Sequence, residues 1–483
     1  MDKKLIKNYI YNILYQMVKI ILPFILVPYT YKHITPKVLG TYNFAGSIMQ
    51  WFILFGILGI NTYGNREIAK VRDNKDKLNK TFFEIFFMQI SNMLIAMAAY
   101  YLYINLTVHD NKLIFLITGI TMFASMLDVT WFFYGVEDFK KVSIRNVIVK
   151  ILGVSLIMLI CKNPEDIYKY IIINISSELI GQGIMFFELG KYIKIQKISL
   201  KEAYHNHFKA TFALFVPTIA ISIYTMLDQT MIGYLYSDEH VSYYLSSMNI
   251  VKMFLYFITS IGAVVLPRVT NSFYNDENWK NNTSQLLNNT MRIAMLLALP
   301  MCFGMMMISK NFISWYLPDT PIISDLIIFA CPIIIFISMS NVTGIQYMVP
   351  TGMYDKYSKS VIAGATINLI INLLLIPKYG AYGAVVGSLI AEFTVTLVQY
   401  LMIKNETKFN LKNRSYLIYI IGTILMSLGV FALTKLLSVS MLNTFIEVFV
   451  GIAIYGLVLL ICKEEILFNL LNKIRSRNWY ERN

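Results

Sequence analysis

The sequence predicts an all-α integral membrane protein of about 14 transmembrane helices, built as two pseudo-symmetric six-helix lobes and a C-terminal helix pair, with both termini inside. Three observations carry this. Of the 483 residues, 57% are hydrophobic and only 14% are charged, where a soluble domain holds about 25% charged residues; the mean hydropathy is +0.57. The apolar residues gather into runs of about 20, the length of one crossing. The basic excess, a formal charge of +14, is scattered over short segments between these runs. That pattern fits the cytoplasmic loops of a polytopic protein and not a nucleic-acid surface.

The first helix, near 9–31, follows the basic head "MDKKLIK" and runs past Lys19 without a small-residue cleavage site, so it is expected to be retained and not a signal peptide. Helices near 41–60, 82–104, 113–134, 143–161 and 167–189 complete a first lobe within 1–206. Those near 208–235, 242–266, 290–308, 324–347, 358–376 and 382–403 form a second lobe within 207–403. A pair near 416–437 and 444–462 and a basic tail occupy 404–483. With the N-terminus inside, the inner connections hold several times as many Lys and Arg as the outer ones, which sets the orientation. The longest connections, near 190–207 and 267–289, then face the cytoplasm and leave no room for a soluble catalytic domain. The halves also align weakly: at one offset Tyr42 meets Tyr244, Ile48 meets Ile250 and Phe52 meets Phe254. Pro23 and Pro28 in the first helix answer Pro217 in the seventh, and paired interruptions point to a transporter's cavity, although prolines are common in membrane helices generally.

Lys19, Asp128, Lys150, Glu178, Asp228, Lys252 and Glu392 fall within predicted spans. A charge at mid-bilayer costs roughly 2.5–3.5 kcal/mol, so these residues are expected to line a wet interior, pair, or snorkel. Lys19, Lys252, Asp128, Lys150, Glu178 and Glu392 are the candidate cavity residues. Lys150 is near enough to the cytoplasmic end to snorkel. Lys19 and Lys252 are deeper and suit an anionic head group; the competing reading is that each neutralises a neighbouring acid. Asp128, in "MLDVTWFFYGVEDFKK", stands about two turns from the inner boundary, a depth that suits a gate or a ligand contact. Asn368 and Asn372 share a helix face and would either hold a hard cation with a nearby carboxylate or bond between helices. Cys161, Cys302, Cys331 and Cys462 lie in or beside apolar runs without metal or disulfide spacing, and the five histidines are placed in or beside loops. No nucleotide, zinc-protease or hydrolase motif occurs. No cofactor is expected, and the energy source would be a gradient, carried by sodium or protons, the membrane potential, or the cargo's own gradient.

Four stretches together resemble the Wzx-type polysaccharide-repeat flippases of the multidrug/oligosaccharidyl-lipid/polysaccharide exporter superfamily. They are "YGNREIAKVRD" (63–73), "DVTWFFYGVEDFKK" (128–141), "PTIAISIYTMLDQTMIGYL" (217–235) and "VPTGMYDKYSKSVIAGATINLIINLLLIPKYGAYGAVVGSLIAEF" (349–393). The resemblance covers the first twelve helices. It implies two lobes around a cavity and alternating access that carries an undecaprenyl-pyrophosphate-linked oligosaccharide from the inner to the outer leaflet of the bacterial cytoplasmic membrane. The destination would be capsule, teichoic acid or another surface polymer. It also implies a monomer working with membrane lipid and other polysaccharide-assembly proteins. Related lipid II flippases place an acid and a polar pair around sodium; Asp228 with Asn368 and Asn372 is similar, although the second member of the pair is asparagine here, which lowers the charge. The alternatives are an exporter of drugs or organic cations from the same superfamily and, more remotely, a membrane polymerase or acyltransferase. Deep lysines argue against the first, and short outer loops against the second.

Overall fold

The computed structural model describes residues 17, 18, 21–196, 198–259, 265, 269–273, 276, 278–404 and 413–468, leaving aside the side chains at 216–218, 220, 221 and 223–225. Among the described residues there is no strand, and eleven helical segments are long and apolar enough to cross a membrane. The chain forms two compact units, Met1–Ser242 and Tyr243–Asn483.

In the first unit, α1 (residues 21–33) precedes α2 (Pro36–Ile57), which starts on a proline, the residue that lacks the donor a first turn cannot use. Leu58 (φ 49°) and Gly59 (φ 78°) kink the chain into α3 (Ile60–Val71). A Cβ on Gly59 would stand 3.1 Å from the backbone nitrogen of Phe215, so both the backbone angle and the close approach require glycine. α4 (Lys75–Thr107) is capped by Asn74, whose side chain accepts the Lys77 N–H. Next come α5 (Lys112–Gly119), α6 (Thr121–Met126) and α7 (Thr130–Gly135), then α8 (Phe139–Ile160), α9 (Ile167–Leu189) and α10 (Leu200–Leu235). α10 packs on α2, α3 and α4. α11 (Asp238–Thr259) begins where Thr41 Oγ1 donates to Asp238 Oδ2 at 2.7 Å.

Two of the quoted stretches meet here. A Cβ on Gly64 would fall 2.5 Å from the Trp131 ring, and one on Gly135 2.6 Å from Ile68. Arg72 Nη1 pairs with Glu137 Oε1 at 2.6 Å. Trp131 stacks on Phe82 with ring centroids 5.4 Å apart, inside a core that includes Ile60, Ile68, Phe132 and Met185. The glycines of both stretches are therefore seats for side chains of the other.

The second unit contains α12 (Trp279–Tyr316), α13 (Ile322–Ala330), α14 (Ile333–Ser340), a π-helical segment (Asn341–Met348), α15 (Tyr354–Tyr379), α16 (Ala381–Ile403), α17 (Arg414–Leu436) and α18 (Met441–Ile461). α15 and α16 join at Gly380 (φ 54°) and pack backbone to backbone, since a Cβ on Gly383 would lie 2.6 Å from the Leu375 carbonyl carbon. α17 exposes Leu417, Ile421, Ile424 and Leu428 while burying Ser415, Thr423 and Met426. Apolar surface outside and small or polar contacts inside is the pattern of a helix facing lipid.

Two differences from the sequence expectation have physical causes. Several helices outrun their apolar segments: the one expected at 82–104 spans Lys75–Thr107, and that at 290–308 spans Trp279–Tyr316. Hydropathy detects only the part in hydrocarbon, whereas polar turns continue the helix beyond it. The fourth span of each half is also not one helix. That near 113–134 is broken into α5, α6 and α7, and that near 324–347 into α13, α14 and the π segment. By contrast α10, which contains Pro217, runs unbroken from Leu200 to Leu235.

Candidate functional site

Asp128 stands at the break between α6 and α7, where Leu127 (φ −89°) and Val129 (φ −111°) flank it. Carbonyls freed inside a membrane protein need protein partners, because lipid offers none. Gln89 of α4 supplies them: its Nε2 donates to Met126 O at 3.0 Å and to Asp128 O at 2.9 Å, while its Oε1 accepts from Trp131 Nε1 at 3.0 Å. Asp128 Oδ1 accepts the Thr130 N–H at 2.9 Å and also the Thr130 hydroxyl. The aspartate thus starts α7 in the manner of a cap. Asp128→Asn keeps an acceptor oxygen and removes the charge. It is expected to leave expression and thermal stability unchanged while slowing transport by about tenfold; a wild-type rate would make the residue purely structural.

Glu178 of α9 lies in electrostatic range of Lys150 and Arg145 of α8 and of Asp128. α8 and α9 approach closely through glycine: a Cβ on Gly153 would be 2.8 Å from Ser177 Oγ, and one on Gly181 3.0 Å from Arg145 Nη1. Tyr42 of α2 and Tyr170 of α9 meet edge to face with centroids 5.5 Å apart, and Tyr42 is in range of Glu178. Glu178 and Lys150 are exposed; Asp128 and Arg145 are half-buried. An ionisable pair exposed to lipid would be costly; here two acids, two bases and two phenols share one polar wall of the first unit. Such a wall can hydrogen-bond a polar, hydroxyl-rich ligand from several directions.

Of the expected cavity residues, the structure brings together Asp128, Lys150 and Glu178. Lys19 lies outside the described residues. Lys252 is half-buried in α11, and among the described residues no carboxylate pairs with it. Glu392 is buried in α16 within range of Tyr357. Asp228 is buried in α10 of the first unit, and Asn368 and Asn372 are buried in α15 of the second. Asn372 Nδ2 donates to Asn368 Oδ1 at 3.2 Å, and a Cβ on Gly387 would fall 2.1 Å from Asn372 Oδ1, so the pair is part of the α15–α16 seam. Among the described residues, no group of three or more His, Cys, Asp or Glu could hold a metal. The second unit also contains a half-open cavity of about 500 Å³ with apolar walls, including Phe254, Leu297, Met301, Met426 and Ile452, and one carboxylate, Glu447.

Sequence inspection passed over Arg145, Glu84 and Glu447, which stand inside or at the edge of apolar runs and carry the same signal as the residues singled out. It also placed His207 beside a loop. His207 is instead buried two turns into α10, because that helix starts at Leu200, before the apolar run begins.

Interrupted membrane-spanning helices with ionisable residues inside the spans mark a multi-pass membrane protein. The chain belongs to the polysaccharide biosynthesis protein family, whose model matches residues 5–273, and is a Wzx-type member of the multidrug/oligosaccharidyl-lipid/polysaccharide exporter superfamily, as the four stretches implied. The MatE family model matches residues 213–377. A protein of Escherichia coli (strain K12) named "Putative O-antigen transporter" is 23% identical over 406 residues, 83% of this chain and 97% of that protein. The "Probable low-salt glycan biosynthesis flippase Agl15" of Haloferax volcanii is 23% identical over 254 residues, 51% of this chain and 52% of that protein. The structure of lipid II flippase MurJ in an inward closed conformation shares the fold, with TM-score 0.74 and 18% identity over 94% of this chain and all of that one. These relatives are named as transporters and flippases, not enzymes.

Proposed function

We propose that the protein flips an undecaprenyl-pyrophosphate-linked oligosaccharide from the inner to the outer leaflet of the cytoplasmic membrane by alternating access, for capsule or another surface polysaccharide. In this reading about 14 helices, two six-helix lobes within 1–206 and 207–403 and a final pair, place both termini inside. The observation that carries it is the match over 97% of a protein named as an O-antigen transporter. The polar wall of the first unit suits sugar hydroxyls. Lys19 and Lys252, the latter with no carboxylate partner among the described residues, would meet the pyrophosphate, and the apolar cavity beside α17 and α18 suits a lipid chain. Asp228, Asn368 and Asn372 would serve a coupling sodium ion; protons are the other coupling ion. The unit at work is a monomer, handing its cargo to other polysaccharide-assembly membrane proteins.

The MatE match over 213–377 is the observation that favours an exporter of organic cations. A half-buried lysine, Lys252, with no acid paired to it among the described residues disfavours a cationic cargo. Ligand-induced stabilisation separates the two readings. A lipid-linked oligosaccharide at 100 times its dissociation constant adds about 2.7 kcal/mol to the folded state, so it should raise the thermal midpoint of the detergent-solubilised protein. Lys19→Ala and Lys252→Ala should each lose most of that rise while keeping the ligand-free midpoint. A rise with lipophilic cations alone would favour the exporter.

A further inference from the structure

The first unit buries a second set of ionisable groups that the polar wall does not use. Glu84 of α4 and His207 of α10 are 3% and 7% exposed. His207 Nε2 stands 2.8 Å from Glu84 Oε2, and its Nδ1 stands 2.7 Å from the hydroxyl of Tyr63 in α3. Asn206 donates to Glu84 Oε1 at 3.1 Å, and Lys80 Nζ lies 3.9 Å from the same oxygen. An ionised carboxylate only accepts, so Nε2 carries the ring proton toward Glu84 and Nδ1 accepts from Tyr63.

The charged and titratable surroundings are few. From α3 come Tyr63, Arg66, whose guanidinium sits 5.8 Å over the Tyr63 ring, and Glu67. From α4 come Lys80 and Glu84. On α10 itself, His205 and Lys209 are exposed. The ionisable residues of α2, Lys37 and Tyr42, are in its first two turns, at the end remote from its kink. That kink rests on α10 at Thr211 and Phe215, one and two turns beyond His207, and Thr211 Oγ1 donates to the His207 carbonyl at 2.7 Å. The histidine therefore sits where α3, α4 and α10 meet, beside the bend in the second helix.

We propose that Tyr63, His207 and Glu84 form a proton-binding site that clamps α10 against α3 and α4 when occupied. A proton taken from water binds at Nδ1. Tyr63 keeps its own proton and turns from donor to acceptor, and the His207–Glu84 hydrogen bond becomes a buried ion pair, which is stronger than its neutral counterpart. No covalent bond between heavy atoms changes. The clamp is closed at acid pH and loosens as the proton leaves.

The full chain in lipid nanodiscs tests this by two exchange measurements read by mass spectrometry, neither of which needs a cargo, so the outcome is independent of the transport reading. Deuterium exchange at the His207 ring carbon is expected to follow one titration step between about pH 5 and 8. Glu84→Gln removes the charge that favours the imidazolium and should displace the step toward acid by about one to three pH units. Backbone amides across the α2–α3 kink and the first turns of α10, corrected for intrinsic rates, should exchange at least about threefold more slowly in the acid form. In His207→Gln, whose amide still donates to Glu84, that difference should vanish. Tyr63→Phe, which leaves the pair in place, should also displace the step. A ring that does not titrate in this range, a step unmoved in both Glu84→Gln and Tyr63→Phe, or an amide difference that survives in His207→Gln overturns the proposal.

Discussion

Arg292→Leu is expected to destabilise the second unit by about 3–5 kcal/mol, the cost of leaving a buried partner charge uncompensated. Arg292 of α12 is 6% exposed, and its Nη2 donates to Ser415 Oγ at 2.8 Å and Glu464 Oε1 at 3.2 Å. Its Nη1 pairs with Glu465 at 2.9 Å, and Tyr419 donates to Glu464 at 2.7 Å. One guanidinium thus ties both ends of the C-terminal pair, the start of α17 and the segment after α18, to α12. The thermal midpoint of the purified protein checks this. Adding Glu464→Leu to Arg292→Leu should recover most of the loss, because a buried pair replaced by apolar groups costs little. If the single variant melts with wild type, the cluster is no lock.

Gln89→Leu should be nearly as damaging. It strips the donor from the carbonyls of Met126 and Asp128 and the acceptor from Trp131 Nε1. Each polar group left unsatisfied costs about 1–3 kcal/mol. The α6–α7 turn then either melts or returns to continuous helix, and both outcomes move Asp128 away from the polar wall. A thermal midpoint equal to wild type would mean that the break holds without its bridging amide.

The fold class was open to sequence reading because hydrocarbon imposes a composition that few other environments impose. The same reasoning singled out Asp128, Lys150 and Glu178, since a charge in an apolar run stands out from its neighbours, and the fold places Asp128 and Lys150 in electrostatic range of Glu178. It did not find the break at Asp128. Hydropathy is blind to backbone angles, and the amide that stabilises the turn comes from Gln89, 39 residues earlier. Nor could it pair Glu84 with His207, 123 residues apart, when one lies at the edge of an apolar run and the other just outside one. The quoted stretches were legible as a resemblance, yet their reason is three-dimensional: Gly64 and Gly135 are empty so that Trp131 and Ile68 can fill them. Asn368 and Asn372 stood out in one dimension as a polar pair on one helix face; the fold adds that they bond to each other against Gly387.

Translocation of a fluorescent undecaprenyl-pyrophosphate oligosaccharide in proteoliposomes tests the central claim most directly. The wild-type protein should bring the glycan within reach of a membrane-impermeant quencher on the opposite face, and Lys19→Ala/Lys252→Ala should not. If the wild type moves no glycan of several compositions, yet exports organic cations against a sodium or proton gradient, the flippase account is contradicted.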